Sequence, residues 1–517
     1  MGTLEVTIYV SSCGVCFFFL SFLFNLFTKL WRTPIRIQSM MRSQGIQGPA
    51  YKFYYGNTRE IINMATNDFS NPKKISHQNV FPTVVPHIYS WVNLYGMSYL
   101  SWHGPEAHLV ITEPNLVKEI FNNKDGAFPK PEAEEYVKKL LGDGIVTTRG
   151  EKWFNLRKIS NHAFHADCLK GMISAMIASV EMMLGRWKRG GDKEIDAFQE
   201  FKLLTSEIIS RTAFGSSYLE GQHIFDMLMS IAVIINRNKY KIRIPGISNL
   251  VRSADDVESE KLENGIRDSI INMTKRREEA AKSSDGYGSD FLGLLLKAHH
   301  EDNSDSRISV EDLIDECKTF YVAGHETTSS SLTWTLLLLA MHTDWQDKAR
   351  NEVIELFGLQ NPTPDDLPRL KIMHMIINEA LRLYPPVVNI PRQVKRQVRL
   401  GKLMLPENMI IEIPVLAVHH NPQIWGEDVH VFKPERFAEG VAKATNNNIG
   451  AYLPFGLGPR GCVGSNFAVT ETKIALSMIL QHYELRLSPT YVHLPVPLLT
   501  MCPQYGLQIM LQPLHRG

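Results

Sequence analysis

The chain has 517 residues, of which 44% are hydrophobic and 21% are charged, and its formal net charge is +1. This composition is that of a globular protein, and the charge balance excludes the basic surface of a nucleic-acid-binding protein. The six cysteines are scattered and do not form a disulfide framework, which is typical of a reducing compartment.

The N-terminal segment predicts a membrane anchor. Residues 6–27 carry no charge over about 22 residues, a length that can span a bilayer. Glu5 precedes this segment and Lys29 and Arg32 follow it, which is the reverse of a cleaved signal peptide and leaves the rest of the chain in the cytosol. We expect a single-pass anchor over residues 1–31, a linker over residues 32–51 and one large domain over residues 52–517.

Helical periodicity dominates after the linker, and no second core of comparable size is indicated. The sequence therefore predicts a mainly α, single large helical domain with small β-sheets. Apolar spacing predicts helices over residues 166–188, 197–212, 261–282, 367–383 and 466–482. Strand-like alternation is predicted over residues 108–112, 397–400, 409–415 and 508–511.

The longest helical pattern begins at Ser309, which forms a capping-box pattern with Asp312, and runs to about His342. Its length of about 50 Å and its largely apolar surface predict that it crosses the middle of the domain.

A polar stretch, YVAGHETTSSS (residues 321–331), lies at the midpoint of this helix. Its HETT part is not the zinc motif H-E-x-x-H, because Ser329 stands where the second histidine would be. Gly324 can allow a close approach to the helix, and Glu326 and Thr327 can serve as positioned acid–base groups. For the stretch alone, the alternative is that Thr327 bonds back to a carbonyl of its own helix.

A charged motif follows on a later helix. Glu379 and Arg382 lie on one helix face at i and i+3, which alone is typical of a surface ion pair worth under about 1 kcal/mol. Two prolines, Pro385 and Pro386, then end the helix, and Arg436 follows within the sequence PERF. A Glu379 buried between the two arginines would be expensive to disrupt, at roughly 3–5 kcal/mol.

The strongest motif is PFGLGPRGCVG (residues 454–464). Its glycines match G-x-G-x-x-G, but Pro459 interrupts the match and the strand–turn–helix context of a dinucleotide site is missing. A cysteine among glycines before an apolar helix can instead be a thiolate stabilised by backbone N–H groups and by the helix N-terminus. Such a thiolate suits an axial ligand to haem iron.

These motifs together resemble the cytochrome P450 family of haem-thiolate monooxygenases, and the resemblance covers essentially everything after the anchor. F-x-x-G-x-R-x-C-x-G is complete at Phe455–Gly464, and A-G-x-E-T, E-x-x-R and W-x-x-x-R occur in the family's order. The last of these, Trp153 with Arg157, would alone be typical of an amphipathic helix. Local phrases such as IDECKTF are similar to a plant microsomal clan whose members modify gibberellins, cytokinins, brassinosteroids and triterpenoids.

The resemblance implies the cytochrome P450 fold and a role for each matching residue. It implies haem b (iron protoporphyrin IX) with Cys462 as the iron ligand, and His325 is expected to point away from the iron. Further haem-binding residues would be Trp153, Arg157, Arg392, Phe455, Arg460 and Gly464. Gly324, Glu326 and Thr327 would form the oxygen-binding and proton-delivering motif, and Glu379, Arg382 and Arg436 a structural triad.

The implied activity is hydroxylation of a lipophilic small molecule with dioxygen and with NADPH-derived electrons from NADPH–cytochrome P450 reductase. The implied location is the endoplasmic reticulum membrane, with the catalytic domain facing the cytosol. Family analogy places the substrate between the central helix and residues 127–141, 225–247, 387–391 and 497–500, with Thr500 as a polar contact. A haem-thiolate isomerase or dehydratase and a non-catalytic haem sensor are the alternatives, and the intact Glu326–Thr327 pair argues against both.

Overall fold

The computed structural model describes residues 3–68, 79–190, 194–241, 252–283, 286–301 and 307–514. Its α-helices are Thr3–Phe27, Thr33–Ser43, Thr58–Asp68, Phe81–Val84, Pro86–Tyr95, Pro114–Phe121, Glu135–Leu141, Gly150–Ala163, Ala166–Gly190, Ala197–Ala213, Tyr218–Asn238, Ala254–Ala281, Phe291–His299, Val310–Met341, Thr343–Phe357, Lys371–Leu383, Val415–His419, Pro422–Trp425, Gly440–Ala444 and Ser465–His482. The strands are Ser98–His103, Glu106–Ile111, Glu194–Asp196, Asn389–Gln393, Val398–Leu400, Leu403–Leu405, Ile410–Pro414, Tyr483–Leu487, Pro495–Pro497, Met501–Pro503 and Gln508–Pro513.

The helix Val310–Met341, called the central helix below, crosses the main core as predicted. Its N-terminus is fixed by a reciprocal capping box: the Asp312 N–H donates to Ser309 Oγ at 3.0 Å, and the Ser309 N–H donates to Asp312 Oδ2 at 2.9 Å. Most of its side chains are buried, so neighbouring helices cover it on nearly every side.

A four-stranded sheet forms a second core beside the helices. Its strand order is Ser98–His103, Glu106–Ile111, Ile410–Pro414 and Asn389–Gln393, and the two middle strands pair in parallel. This parallel pairing joins an early and a late part of the chain. The sheet therefore brings together side chains that are far apart in sequence.

Most predicted elements are confirmed, and the differences lie mainly at their ends. The predicted helix 261–282 begins earlier, at Ala254, because Ser253 and Asp256 form a second capping box. The predicted helix 367–383 is divided into a short 3₁₀ turn, Leu367–Arg369, and the α-helix Lys371–Leu383. The strand Ser98–His103 was missed, because four consecutive buried residues hide its alternation.

The helical span Ser11–Ser43 is long and apolar enough to cross a membrane, and its most apolar window has a mean hydropathy of 1.8 and is 6% buried. Ala166–Gly190 passes the same test but is 44% buried, as expected of a core helix.

Part of the predicted linker, residues 32–51, is helical. A π-helical turn, Thr28–Arg32, joins the N-terminal helix to Thr33–Ser43. Pro34 is tolerated there because it lies in the first helical turn. The Tyr51 hydroxyl donates to the Leu30 carbonyl, and its ring lies 5.0 Å from that of Trp102 in the second core. The π-helical turn after the N-terminal helix is thus tied to the folded domain.

Candidate functional site

One large cavity, of about 1240 Å³, lies between the central helix and residues 454–464, called the cysteine loop below. The central helix contributes Ala323, Gly324, Thr327, Thr328 and Ser331 to its wall. The helix Gly150–Ala163 and the strand Asn389–Gln393 complete the wall on other sides. The structure therefore brings the sequence-predicted motifs around a single space, although they lie far apart along the chain.

The cysteine loop is folded so that Cys462 faces this cavity. The Cys462 N–H donates to the Phe455 carbonyl at 2.8 Å, which closes the loop on itself. Gly458 adopts a positive φ of 70°, and a Cβ there would lie 2.4 Å from the carbonyl oxygen of Phe121. No other residue type fits that position without displacing the backbone.

The electrostatic environment of Cys462 combines opposing effects. Its side chain is exposed and lines the interior cavity. Desolvation by the surrounding protein raises the thiol pKa, while the Gly464 N–H and the charges of Arg157 and Lys130 lower it. The expected backbone donor is therefore present, but desolvation outweighs it and the net pKa lies above the ordinary value.

Four cationic side chains, called the basic cluster below, line the cavity near Cys462: Lys130, Arg157, Arg392 and Arg460. Each donates to a backbone carbonyl, at distances between 2.6 and 2.8 Å. Within the described residues, none of the four forms an ion pair. Aromatic rings support two of them, because the Arg460 guanidinium lies 4.0 Å from the Trp153 ring centre and that of Arg392 lies 4.6 Å from the Phe121 ring centre.

The members of the basic cluster with the largest pKa shifts are desolvated and repel one another. Burial lowers the pKa of Lys130 to about 7, with Arg392 and Arg460 adding repulsion. Burial also lowers the pKa of Arg392 and that of Arg460 to about 10, again with repulsion from neighbouring arginines. Positive charges that repel one another in a shared cavity fit a ligand with carboxylate groups.

Two members of the A-G-x-E-T motif, Gly324 and Thr327, line the cavity and also make contacts within the protein. The Thr327 hydroxyl donates to the Ala323 carbonyl at 2.7 Å, which is the local contact considered as the alternative. Its oxygen still offers lone pairs to the cavity. Gly324 was expected to leave space for a ligand, but a Cβ there would lie 2.7 Å from Ile209 Cδ1. The missing side chain therefore allows close helix packing first of all.

Glu326 lies one step behind the cavity wall. Its Oε1 is 3.3 Å from His325 Nε2 and 3.8 Å from Lys202 Nζ, and Lys202 is partly exposed. Burial raises the pKa of Glu326, but His325, Lys202 and Thr500 lower it below its ordinary value. Glu326 is thus an ionised carboxylate between the cavity wall and a solvent-accessible lysine.

His325 points away from the cavity, which confirms the sequence-based expectation. Its Nδ1 lies 3.0 Å from both Thr205 Oγ1 and Ser206 Oγ on the neighbouring helix.

The cavity wall agrees in part with the predicted substrate-contacting segments. Residues from 130–141 and 386–393 line it, whereas the predicted 225–247 segment contributes only 238–241, and 242–247 lie outside the described residues. The predicted segment 497–500 is not part of the wall, and Thr500 instead interacts with Glu326. Sequence patterns missed His103, His108 and Glu412, because only the pairing of distant strands brings them to the cavity.

The three residues of the predicted triad, Glu379, Arg382 and Arg436, lie together in the protein interior. Arg382 donates to both oxygens of Glu379 at 2.8 Å, and both side chains are fully buried. Arg436 Nε lies 3.3 Å from Glu379 Oε1, and the backbone N–H of Lys433 donates to the same oxygen at 3.1 Å. The carboxylate is therefore hydrogen-bonded on both oxygens, as a buried charge must be.

A chain of hydrogen bonds connects this triad to the cysteine loop. Arg382 Nη1 donates to the His419 carbonyl at 3.0 Å, and His419 Nε2 accepts from the Leu453 N–H at 2.8 Å, directly before the loop. Burial and the charge of Arg382 lower the pKa of His419 to about 3, so its ring is neutral and can accept. The triad thereby fixes the position at which the loop begins.

Comparison with known proteins identifies the family. A family model described as Cytochrome P450 matches residues 87–509. The chain is 56% identical to cytochrome P450 CYP749A22 of Panax ginseng, and the match covers 97% of this chain and 96% of that protein.

Two further similarities agree with this match. The chain is 40% identical to an 11-oxo-beta-amyrin 30-oxidase of Glycyrrhiza uralensis, with 95% of each protein covered. A solved structure of retinoic acid-bound cyanobacterial CYP120A1 has a TM-score of 0.76 at 22% identity and covers 91% of this chain and 99% of that one. At that identity the likeness confirms the fold alone.

Removal of Arg382 should destabilise the protein severely. In Arg382→Met, the Glu379 carboxylate loses its two best donors while it stays buried, so we expect the free energy of unfolding to fall by about 3–5 kcal/mol. Urea unfolding of the purified protein measures this change. Arg369→Met is the matched control, since Arg369 forms an i,i+3 pair with Asp366 at 2.7 Å on the exposed surface. A similar loss in both variants would contradict the importance assigned to the buried pair.

Proposed function

The chain belongs to the cytochrome P450 family and is a haem-b monooxygenase, and we propose that Cys462 is its iron ligand. One observation carries this proposal: Cys462 faces the same cavity as the basic cluster and Thr327. A thiolate can ligate haem iron, cations can bind its propionate groups, and a hydroxyl on the central helix can position a water molecule.

The residues present fit haem b, because the basic cluster forms no ion pair within the described residues and can bind the two propionate groups of haem. Arg157, Arg392 and Arg460 would hold the propionates, and Trp153 keeps the Arg460 guanidinium oriented from its ring face. Phe455 and Gly464 support Cys462 through backbone contacts on either side. Bound haem supplies the chemistry of dioxygen activation and oxygen insertion.

The central helix would deliver protons to dioxygen in the cavity. Thr327 Oγ1, whose proton is engaged by Ala323, accepts a hydrogen bond from a water molecule and so holds it in place. Glu326 takes up a proton from the solvent side, where Lys202 lies, and passes it towards the cavity. Ile209 packs against Gly324, and both residues line the cavity.

The substrate is a lipophilic small molecule, and we propose that it belongs to the terpenoid or hormone class. Two relatives have names that state a triterpenoid substrate. They are the 11-oxo-beta-amyrin 30-oxidase, 40% identical to this chain, and an echinocystic acid 23-monooxygenase of Saponaria officinalis, 39% identical. The largely apolar cavity wall supports this class. The same relatives are named as oxidases and monooxygenases, which does not favour an isomerase, a dehydratase or a sensor.

We further propose an endoplasmic reticulum location with the catalytic domain in the cytosol. The apolar N-terminal helix and the basic residues after it support a single-pass anchor in this orientation. NADPH–cytochrome P450 reductase would be the redox partner.

Replacement of Cys462 should remove the iron ligand without removing the cavity. In Cys462→Ala, we expect complete loss of the red-shifted absorption band of the reduced carbon-monoxide complex, because this band depends on a thiolate ligand. Absorption spectroscopy of the purified protein measures it. The buried Cys502→Ala variant is the control and should keep the band, since Cys502 is absent from the cavity wall. Persistence of the band in Cys462→Ala would refute the assignment.

Loss of the Thr327 hydroxyl should uncouple electron consumption from product formation. Positioned proton transfer contributes about 10²–10⁴-fold to a rate, so we expect turnover of Thr327→Val to fall at least about tenfold while NADPH is consumed and peroxide is released. Product, NADPH and peroxide are measured together. Thr333→Val is the matched control. The Thr333 hydroxyl also donates to a carbonyl of its own helix, that of Ser329 at 2.7 Å, but Thr333 is not part of the cavity wall. Equal coupling in both variants would argue for a purely structural Thr327.

Product formation should require both NADPH and the reductase. The measurement is product yield in membranes that contain the protein with and without a plant reductase, using a panel of triterpenoid and hormone substrates. Product that appears without reductase would favour an isomerase or dehydratase instead.

A further inference from the structure

A second group of polar side chains lines the cavity, and the proposed function makes no use of it. His103, His108, Glu412 and Asn389, called the sheet cluster below, come one from each strand of the four-stranded sheet. Burial of such groups in a largely apolar cavity wall is unfavourable unless they are paired or bind a polar ligand.

Glu412 is the centre of the sheet cluster and is held as an anion. Its Oε1 lies 2.8 Å from His108 Nδ1, although 304 positions separate the two residues, and its Oε2 accepts from the Asn389 amide. Burial raises the pKa of Glu412, but the hydrogen bond and charge of His108 lower it to about 2. Burial lowers the pKa of His108, but the contacts with Glu106 and Glu412 raise it to about 9. The two side chains therefore form an ionised pair at neutral pH.

His103 is the member of the sheet cluster that is open to a ligand. Its ring is stacked on that of His108 at a centroid distance of 4.1 Å, and its side chain is exposed at the cavity wall. Burial and the neighbouring His108 charge lower its pKa to about 3, so the ring is neutral. Among the described residues its ring nitrogens have no hydrogen-bond partner, which leaves one donor and one acceptor available.

We propose that the sheet cluster binds a hydroxyl group of the substrate. A hydroxyl can donate to the Glu412 carboxylate and accept from the His103 ring, so it satisfies both groups at once. A substrate carboxylate at the same place would be repelled by Glu412, and a hydrocarbon end would leave the polar groups unsatisfied.

The sheet cluster and the basic cluster are neighbours on the cavity wall. Asn389 and Arg392 of the basic cluster lie on one strand, three residues apart, which corresponds to roughly 10 Å. The substrate would thus be a lipophilic alcohol whose hydroxyl group is held in this part of the cavity. This inference rests on the proposed function only in that the cavity takes a lipophilic substrate.

The test compares matched pairs of ligands on the full-length holoenzyme in detergent. The pairs are 11-oxo-β-amyrin, cholesterol and a diterpene alcohol, each with its deoxy analogue and with its hemisuccinate ester, which carries a carboxylate at the same end. Binding is measured by the shift of the haem absorption and, independently, by equilibrium dialysis of labelled ligands. Dialysis keeps the preference measurable if the proposed iron ligation is wrong.

We expect the best-bound alcohol to bind about five- to tenfold more tightly than its deoxy analogue, as one net hydrogen bond predicts. The hemisuccinate should bind more weakly than the alcohol. His103→Phe keeps a ring against His108 but removes both nitrogens, and it should bring the alcohol-to-deoxy ratio close to one. Glu412→Gln keeps the side-chain shape and should improve hemisuccinate binding relative to the alcohol.

His87→Phe is the matched control, because His87 is a partly buried histidine near Glu412 that does not line the cavity. This variant should keep the wild-type ratio. Equal binding of every alcohol and its deoxy analogue to the wild type would overturn the inference, as would an unchanged preference in both His103→Phe and Glu412→Gln. Absence of the carbon-monoxide band from the wild-type protein would instead contradict the proposed function.

Discussion

The buried carboxylate of Glu379 determines where the cysteine loop lies. Arg382 binds both of its oxygens, and Arg436 and the Lys433 backbone approach from a segment much later in the chain. A buried ion pair of this kind contributes little net stability over a well-packed apolar alternative, but it tolerates only one arrangement of its partners. The pairing is therefore best understood as a device that fixes the geometry of the helix, of residues 433–436 and, through His419, of the loop with Cys462.

Local sequence was sufficient to predict those site residues that lie close together along the chain. Cys462 and Arg460 lie in one loop, and Trp153 and Arg157 lie one helical turn apart, so their common orientation follows from the backbone alone. The central helix was predictable for a similar reason, since its capping box and its apolar length are both properties of a continuous segment. These elements account for the proposed iron ligand and for two of the four members of the basic cluster, Arg157 and Arg460.

Sequence alone could not show contacts made between distant segments. Gly324 was interpreted as space for a ligand and does line the cavity, but sequence could not show that Ile209 of another helix packs against it. Thr500 was expected to contact the substrate, but it lies beside Glu326. The sheet cluster depends on the parallel pairing of two strands with some three hundred intervening positions, and no local pattern around His108 indicates Glu412 as its partner. The helix Thr33–Ser43 was hidden by a proline and by nearby glycines that are typical of linkers.

The junction after the N-terminal helix has a thermodynamic consequence for ligand selection. Lys29 belongs to this junction and also lines the cavity, so the cavity wall extends to the π-helical turn after the N-terminal helix. If that helix lies in a bilayer, a lipophilic molecule would enter the cavity from hydrocarbon rather than from water. Each CH₂ group, which would gain about 0.8 kcal/mol on leaving water, then gains almost nothing on leaving lipid. All competing lipophilic molecules lack this free-energy gain equally. The cavity shape and the few polar atoms on its wall would therefore discriminate among them.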